Sequence, residues 1–319
     1  MRKRRRTPVS PGVRDSLKEH SMKKRYILFI VSIFLMACSA GRILQGDRII
    51  DAKYYPPSGE SKNVAIMILG GSEGGMPSYN TKHFTEKGYP CIRIGYFRTE
   101  NTPDRLAMIP LEYFEDAIKA FKSQPEVGDK KIVVYGWSKG GELALLLASR
   151  YEQIGGVIAR VPGSVVFEGP WTHLSSWSYN GEPIPFVLSY RYYKRIANSP
   201  YFEFPELSLK QKEAAEKATI EVENINGPIL ILTGKEDKMW PASQMGEMII
   251  KRLEQKNFPH WYKHFAYENA GHNLSEMNNI PIIQSLFKTN LGGTFSGNRK
   301  ARIDSQQRTF DFLNRLSGN

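Results

Sequence analysis

The sequence predicts an α/β fold, a mostly parallel sheet with helices on both faces. Three observations carry that expectation. Short runs that are apolar throughout recur along the chain, as expected for strands buried on both sides. Stretches with helical spacing separate those runs, so crossovers join consecutive strands. A serine flanked by glycines stands between one such run and one such helix. With 319 residues, 41% of them apolar and 12% aromatic, the chain is too long for a disulfide-stapled mini-protein and too apolar for a disordered one.

The elements follow in order. Residues 64–69 (VAIMIL) form an apolar run ending at Gly70, and residues 90–97 a second strand. Leu111, Phe114, Ile118 and Phe121 recur at helical spacing, which places an amphipathic helix over 110–124 with Pro110 in its first turn. Residues 131–135 are a third strand. Residues 139–151 (KGGELALLLASRY) read as a helix apolar on nearly every side, hence a buried one. Strands follow at 155–161 and 228–232, a helix at 242–256 and a sixth strand at 261–267. A last helix covers 301–316, with Phe310, Leu313 and Leu316 on one face. Residues 163–226 break the alternation with a long, irregular, aromatic insertion. Such an insertion reads as a cap or pocket wall, or as a surface excursion with its own small core.

The formal charge of +12 is uneven. Residues 1–25 hold ten Lys/Arg against two acidic residues, so +8 of it lies there. The remaining chain is close to balanced and lacks the basic excess that would collect phosphates, which excludes a nucleic-acid partner. Met22-Lys23-Lys24-Arg25 reads as the positive start of a signal peptide, and residues 26–35 (YILFIVSIFL) as its apolar core. That core is short against the roughly 20 apolar residues that span a bilayer. Leu35-Met36-Ala37-Cys38 resembles a bacterial lipobox, whose cysteine receives a lipid before cleavage. The expectation is a lipoprotein anchored at Cys38 and facing the periplasm; a short uncleaved membrane anchor is the alternative. Residues 1–21 read as a basic extension, and the start of translation is either Met1 or, as the simplest account of that extension, Met22. Residues 22–38 would be the signal peptide, 39–60 a lead-in and 61–319 the catalytic domain. Cys91 is then the only other cysteine, in an apolar strand, and reads as a buried structural thiol.

The chemistry centres on Gly136-Trp137-Ser138-Lys139-Gly140, a G-x-S-x-G motif. It follows an apolar strand directly and opens a helix directly, the strand–turn–helix setting of a nucleophile elbow. A second match, Gly70-Gly71-Ser72-Glu73-Gly74, follows a strand but leads into a loop. It suits a different role. Acyl transfer develops an oxyanion that needs preorganised donors. The expected donors are the Lys139 N–H and that of Gly71 or Ser72; a plain glycine turn is the alternative reading of 70–74.

A serine needs a base. Of His20, His83, His173, His260, His264 and His272, only His272 lies in a loop directly after the last strand, where a Ser–acid–His chain order places the base. His173, in the insertion, is the competitor. The acid belongs after the preceding strand, where Glu236 and Asp237 are adjacent. Trp137, Trp171 and Trp177 are candidate pocket residues. The two cysteines and six scattered histidines show no ligand spacing, so no metal is expected. Glycines 70–75 lack the G-x-G-x-x-G pattern, so no nucleotide cofactor is expected either.

At these residues the chain resembles the C-terminal catalytic domain shared by acyl-CoA thioesterases and bile acid-CoA:amino acid N-acyltransferase. That domain has the α/β-hydrolase fold and is related to dienelactone hydrolase. The resemblance rests on GGSEGG (70–75), IPLEYFEDAIKAF (109–121), YGWSKGGELALLLAS (135–149) and NGPILILTGKEDKMWPAS (226–243). It continues through YENAGHNL (267–274) and LGGTFSGNRKARIDSQQRTFDFL (291–313), so it covers about residue 60 to the C-terminus. Carried over by position, it implies Ser138 as nucleophile, Asp237 rather than Glu236 as acid, and His272 as base. Conjugating members use cysteine as nucleophile; serine here favours transfer to water. The implied activity is a serine hydrolase acting on a small-molecule acyl ester or thioester without a cofactor. A peptidase or amidase, an acyltransferase, and a non-catalytic envelope binding protein are the alternatives.

Overall fold

The computed structural model describes residues 42–43, 49–188, 212–274 and 291–318, all within a unit running from Arg42 to Asn319. Cys38, the signal-like segment and several insertion aromatics lie outside the described residues. The strands in chain order are β1 (Arg42–Ile43), β2 (Ala52–Tyr55), β3 (Val64–Leu69), β4 (Cys91–Ile94), β5 (Ile109–Pro110) and β6 (Lys131–Trp137). They continue with β7 (Ile154–Arg160), β8 (Trp177–Tyr179), β9 (Glu182–Pro183), β10 (Ile229–Gly234) and β11 (Tyr262–Tyr267). Eight of them form one sheet in the order β1-β2-β4-β3-β6-β7-β10-β11. From β4 to β11 every neighbouring pair is parallel. β1 and β2 add an antiparallel edge. A second, small sheet joins β5, β8 and β9.

The sheet is buried on both faces, and the residue pattern shows why. Along β3, Val64, Ile66 and Ile68 enter one apolar cluster, while Ala65, Met67 and Leu69 enter the other. β10 alternates in the same way, with Leu230 and Leu232 on one side and Ile229 and Ile231 on the other. Successive strand side chains point to opposite faces, so a strand between two helical layers must be apolar at every position. One layer is built from α2 (Leu111–Lys122), α3 (Lys139–Ala148) and α5 (Ala242–Gln255). The other holds α1 (Lys82–Thr85) and α6 (Phe295–Ser317). α4 (Lys212–Ala218) closes the described part of the insertion.

Each of the six expected strands and four expected helices is present. Three features differ from the sequence reading. The lead-in contributes β1 and β2, so residues expected to precede the domain are part of its sheet. α6 begins at Phe295, ahead of the expected start, because the Thr294 side chain caps it by accepting from the Gly297 N–H at 3.0 Å. Polar residues in its first turns hide the apolar periodicity. The described start of the insertion is ordered as β8 and β9: β9 pairs with β8, and β8 with β5, next to Met108 N–H to Ser175 O and Ile109 N–H to Ser176 O.

Candidate active site

The site forms where β6, β10 and β11 end. Between β6 and α3 the chain turns sharply at Ser138, whose backbone is left-handed at φ 58. Few side chains tolerate that region. Here the turn is fixed from both sides: the Ser138 N–H donates to Arg160 O, and its carbonyl accepts from the N–H groups of Gly141 and Glu142. Gly140 is required by close approach, since a Cβ there would lie 2.1 Å from Gly70 O. The motif glycine thus lets the 70–75 loop press against the elbow.

His272 and Asp237 complete the constellation. Ser138 Oγ lies 2.9 Å from His272 Nε2, and His272 Nδ1 lies 2.7 Å from Asp237 Oδ2. With Nδ1–H donating to the carboxylate, Nε2 is left as the acceptor for the serine hydroxyl. All three are nearly sealed from solvent: Ser138 is 5% exposed, and the His272 and Asp237 side chains 3% and 1%. Asp237 Oδ1 accepts from Met239 N–H at 2.8 Å and Trp240 N–H at 3.2 Å, which fixes the carboxylate. Glu236, the adjacent carboxylate, makes no such contact with His272. The competing base His173 instead faces Glu168 at 3.3 Å and does not reach Ser138.

Several supporting residues were not singled out from sequence. The Leu291–Gly293 segment stitches the acid and histidine loops together. His272 N–H and Lys238 N–H both donate to Leu291 O, and isolated bridges join Asp237 to Gly292 and Ala270 to Gly293. A Cβ on Gly292 would meet Glu236 O at 1.8 Å. Asn298 accepts from the Gly271 N–H at 2.9 Å. Trp240 stacks edge-on against the His272 ring at 5.8 Å and donates to Val161 O. The paired glycines after Leu291 were the available signal.

The expected oxyanion donors divide. The Lys139 N–H, at the start of α3, and the Ser72 N–H have no hydrogen-bond partner among the described residues. The Gly71 N–H is occupied: it donates to Glu73 Oε1 at 2.9 Å. That corrects the reading of Gly71 as an open donor, because the side chain two residues on folds back over it. Gly71 is still close, as a Cβ there would lie 3.2 Å from Ser138 Cβ.

The three tryptophans also separate. Trp137 packs against the His272 ring at 5.5 Å and donates Nε1–H to His272 O at 3.2 Å, so it supports the base. Trp171 is 74% exposed and lines a cleft with Ser72. Trp177 is fully buried, packed on Tyr96 and Phe114, and its Nε1–H donates to Glu142 at 2.9 Å. It is a core residue and not a wall of an open pocket, because β8 seats it against α2.

Beneath the elbow lies a buried ion pair. Lys139 Nζ is 2.5 Å from Glu142 Oε1 and 3.1 Å from Phe167 O, so the residue after the serine is tied to the insertion. Burial pushes the Lys139 ammonium down and the Glu142 carboxyl up, and their mutual attraction opposes both shifts. Cys91 is fully buried in β4, and burial pushes its thiol well up, so it is an unreactive core group.

Comparison with known proteins places this geometry among relatives. A family model described as "BAAT / Acyl-CoA thioester hydrolase C terminal" matches residues 109–318. Mitochondrial acyl-coenzyme A thioesterase 2 of Mus musculus is 28% identical over 261 residues, 79% of this chain and 55% of that protein. The Homo sapiens protein of the same name is 30% identical over 190 residues, 59% of this chain and 38% of that protein. This chain therefore spans about half the length of the curated relatives it matches. A Mycobacterium tuberculosis puromycin-hydrolyzing peptidase superposes with a TM-score of 0.54 at 15% identity, covering 87% of this chain and 39% of that one. A putative dienelactone hydrolase from Klebsiella pneumoniae gives 0.50 at 11% identity, covering 86% and 95%. Likeness at that identity shows a shared fold, the α/β-hydrolase architecture.

Proposed function

Since the chain belongs to the BAAT / acyl-CoA thioester hydrolase C-terminal family, we propose that it is a serine hydrolase cleaving a carboxylic ester or acyl thioester through an acyl-enzyme. The observation that carries this is the unbroken path from Ser138 Oγ through the His272 imidazole to Asp237, at 2.9 and 2.7 Å. Relatives named as acyl-coenzyme A thioesterases support the substrate class.

In the proposed reaction His272 Nε2 takes the Ser138 proton as Oγ attacks the acyl carbon. Asp237 holds the imidazole in the productive tautomer and stabilises the imidazolium. The Lys139 and Ser72 N–H groups face the oxyanion. His272 then returns the proton to the leaving oxygen or sulfur, the acyl group stays on Ser138, and water repeats the sequence to release the acid. Serine as nucleophile favours water over an amine as acceptor.

The location remains the one expected from the sequence. The Leu35–Cys38 pattern supports a lipid anchor at Cys38 and a site facing the periplasm, and mass analysis of the mature N-terminus from a bacterial host tests it. The test of function is kcat/KM for matched acyl oxyesters and acyl-CoA thioesters of several chain lengths, with Ser138→Ala as control. Turnover of either class that vanishes in the variant is expected. Turnover that survives Ser138→Ala would refute the serine mechanism.

A further inference from the structure

A cleft of about 410 Å³ opens beside the candidate oxyanion loop, lined by Ser72, Phe97, Arg98, Arg105, Trp171 and Met239 among others. It borders the reacting centre, because Ser72 follows Gly71, where a Cβ would lie only 3.2 Å from Ser138 Cβ. Met239 belongs to the acid loop, where its N–H donates to Asp237. The cleft is therefore bordered by a residue of the oxyanion loop and by one of the acid loop.

Its wall is largely apolar, built from Phe97, Leu106, Pro170, Trp171 and Met239, with two arginines set into it. Arg98 and Arg105 line it, both exposed to solvent, and neither has a carboxylate partner among the described residues. Arg98 donates only to a backbone carbonyl, that of Asp104, at 3.2 Å. The Arg98 position is built. Its backbone is left-handed at φ 56, and its N–H donates to Pro103 O at 2.7 Å. The preceding Phe97 carbonyl accepts from Gly75 N–H at 2.9 Å, which zips this turn to the oxyanion loop. A Cβ on Gly74 would meet Arg98 Cδ at 2.9 Å, so the arginine stem lies across a glycine of that loop. Trp171, which also lines the cleft, is left-handed at φ 63. Strained non-glycine residues gather where function over-determines the backbone. An arginine guanidinium binds carboxylate or phosphate oxygens bidentately.

We propose that this cleft is an anion subsite, in which Arg98 and Arg105 select substrates carrying a negatively charged group and Trp171 covers the adjoining apolar part. The inference rests on the serine-hydrolase reading above, and it names the chemistry that reading leaves open. The charge could sit on the acyl group or on the leaving group, and two substrate pairs separate these.

The full chain is assayed with p-nitrophenyl hydrogen glutarate against p-nitrophenyl valerate, and with 3-sulfophenyl butyrate against phenyl butyrate. The readout is the anionic-to-neutral ratio of kcat/KM. In the R98Q/R105Q variant the ratio is expected to fall about tenfold or more for one pair, the scale of a charge-assisted hydrogen bond. R98K/R105K, which keeps the charges but loses the guanidinium fork, is expected to fall between wild type and R98Q/R105Q. A fall for the glutarate pair places the anion on the acyl side, and a fall for the sulfophenyl pair on the leaving-group side. A ratio unchanged in both pairs overturns the subsite. If the wild type cleaves none of these esters, or Ser138→Ala still does, the catalytic reading fails separately. Calorimetric titration with glutarate and phenol-3-sulfonate then decides the subsite: saturable binding weakened about tenfold in R98Q/R105Q supports it, and no binding overturns it.

Discussion

Ser138 keeps a side chain at φ 58, a conformation costing on the order of 1–3 kcal/mol that persists only where neighbours enforce it. The enforcement serves the hydroxyl, which the turn presents to His272 Nε2. Asp237→Asn is expected to lower kcat by about 10⁴, because an amide no longer fixes the Nδ1–H tautomer. Steady-state kinetics with circular dichroism as a folding control checks that loss. A different histidine contributes to the acid sensitivity of the fold. His264 is half-buried on β11, bonded to Thr233 Oγ1 at 2.7 Å, and desolvation lowers its pKa from 6.5 to about 4. The unfolded chain therefore takes up this proton first, so the stability contribution is complete above pH 6.5 and lost as pH falls toward 4. Thermal midpoints should decline over that window, and the decline should be shallower in His264→Gln. Ser138, Asp237 and His272 were legible because few side chains carry this chemistry and their order along the chain is informative. Gly71 was not, since the fate of its N–H depends on where Glu73 folds. Nor did aromatic content reveal that Trp177 faces the core while Trp171 faces solvent.

At the scale of elements, the elbow depends on contact between two loops and on a buried ion pair. Gly140→Ala places a methyl where Gly70 O already lies at 2.1 Å, so either loop must move. Its activity should fall far more than its helix content, measured by kinetics beside circular dichroism. Glu142→Ala takes the paired carboxylate from the buried Lys139, which keeps its bond to the Phe167 carbonyl, and leaves Trp177 Nε1–H without its acceptor. Breaking such a pair costs about 3–5 kcal/mol, so denaturant midpoints should drop accordingly. Lys139→Met with Glu142→Leu should recover much of that loss, since an apolar pair needs no solvation. The long parallel strands and amphipathic helices were readable from the sequence because both faces of the sheet demand apolar residues at every position. Two-residue strands such as β1, β5 and β9 have no period to detect. Their pairing is decided by the sheets they join.

For the molecule as a whole, one sheet between two helical layers aligns the C-terminal ends of β6, β10 and β11, and the three catalytic candidates arrive from separate loops there. The closed core makes a simple claim about Cys91. Alkylation of the Cys91 peptide, quantified by mass spectrometry, should be negligible in buffer and complete in denaturant. Reaction in buffer would mean that β4 opens readily. The overall architecture was legible because alternating strands and helices admit few topologies. The cleft bearing Arg98 and Arg105 was not, because it is assembled from loops distant in sequence. The central claim is that Ser138 is a nucleophile activated by His272. Its most direct test is reaction of the full chain with a fluorophosphonate probe, followed by mass mapping of the modified residue. A single adduct on Ser138, formed much more slowly in His272→Ala, is the expected result. No adduct, or an adduct retained in Ser138→Ala, would contradict the account.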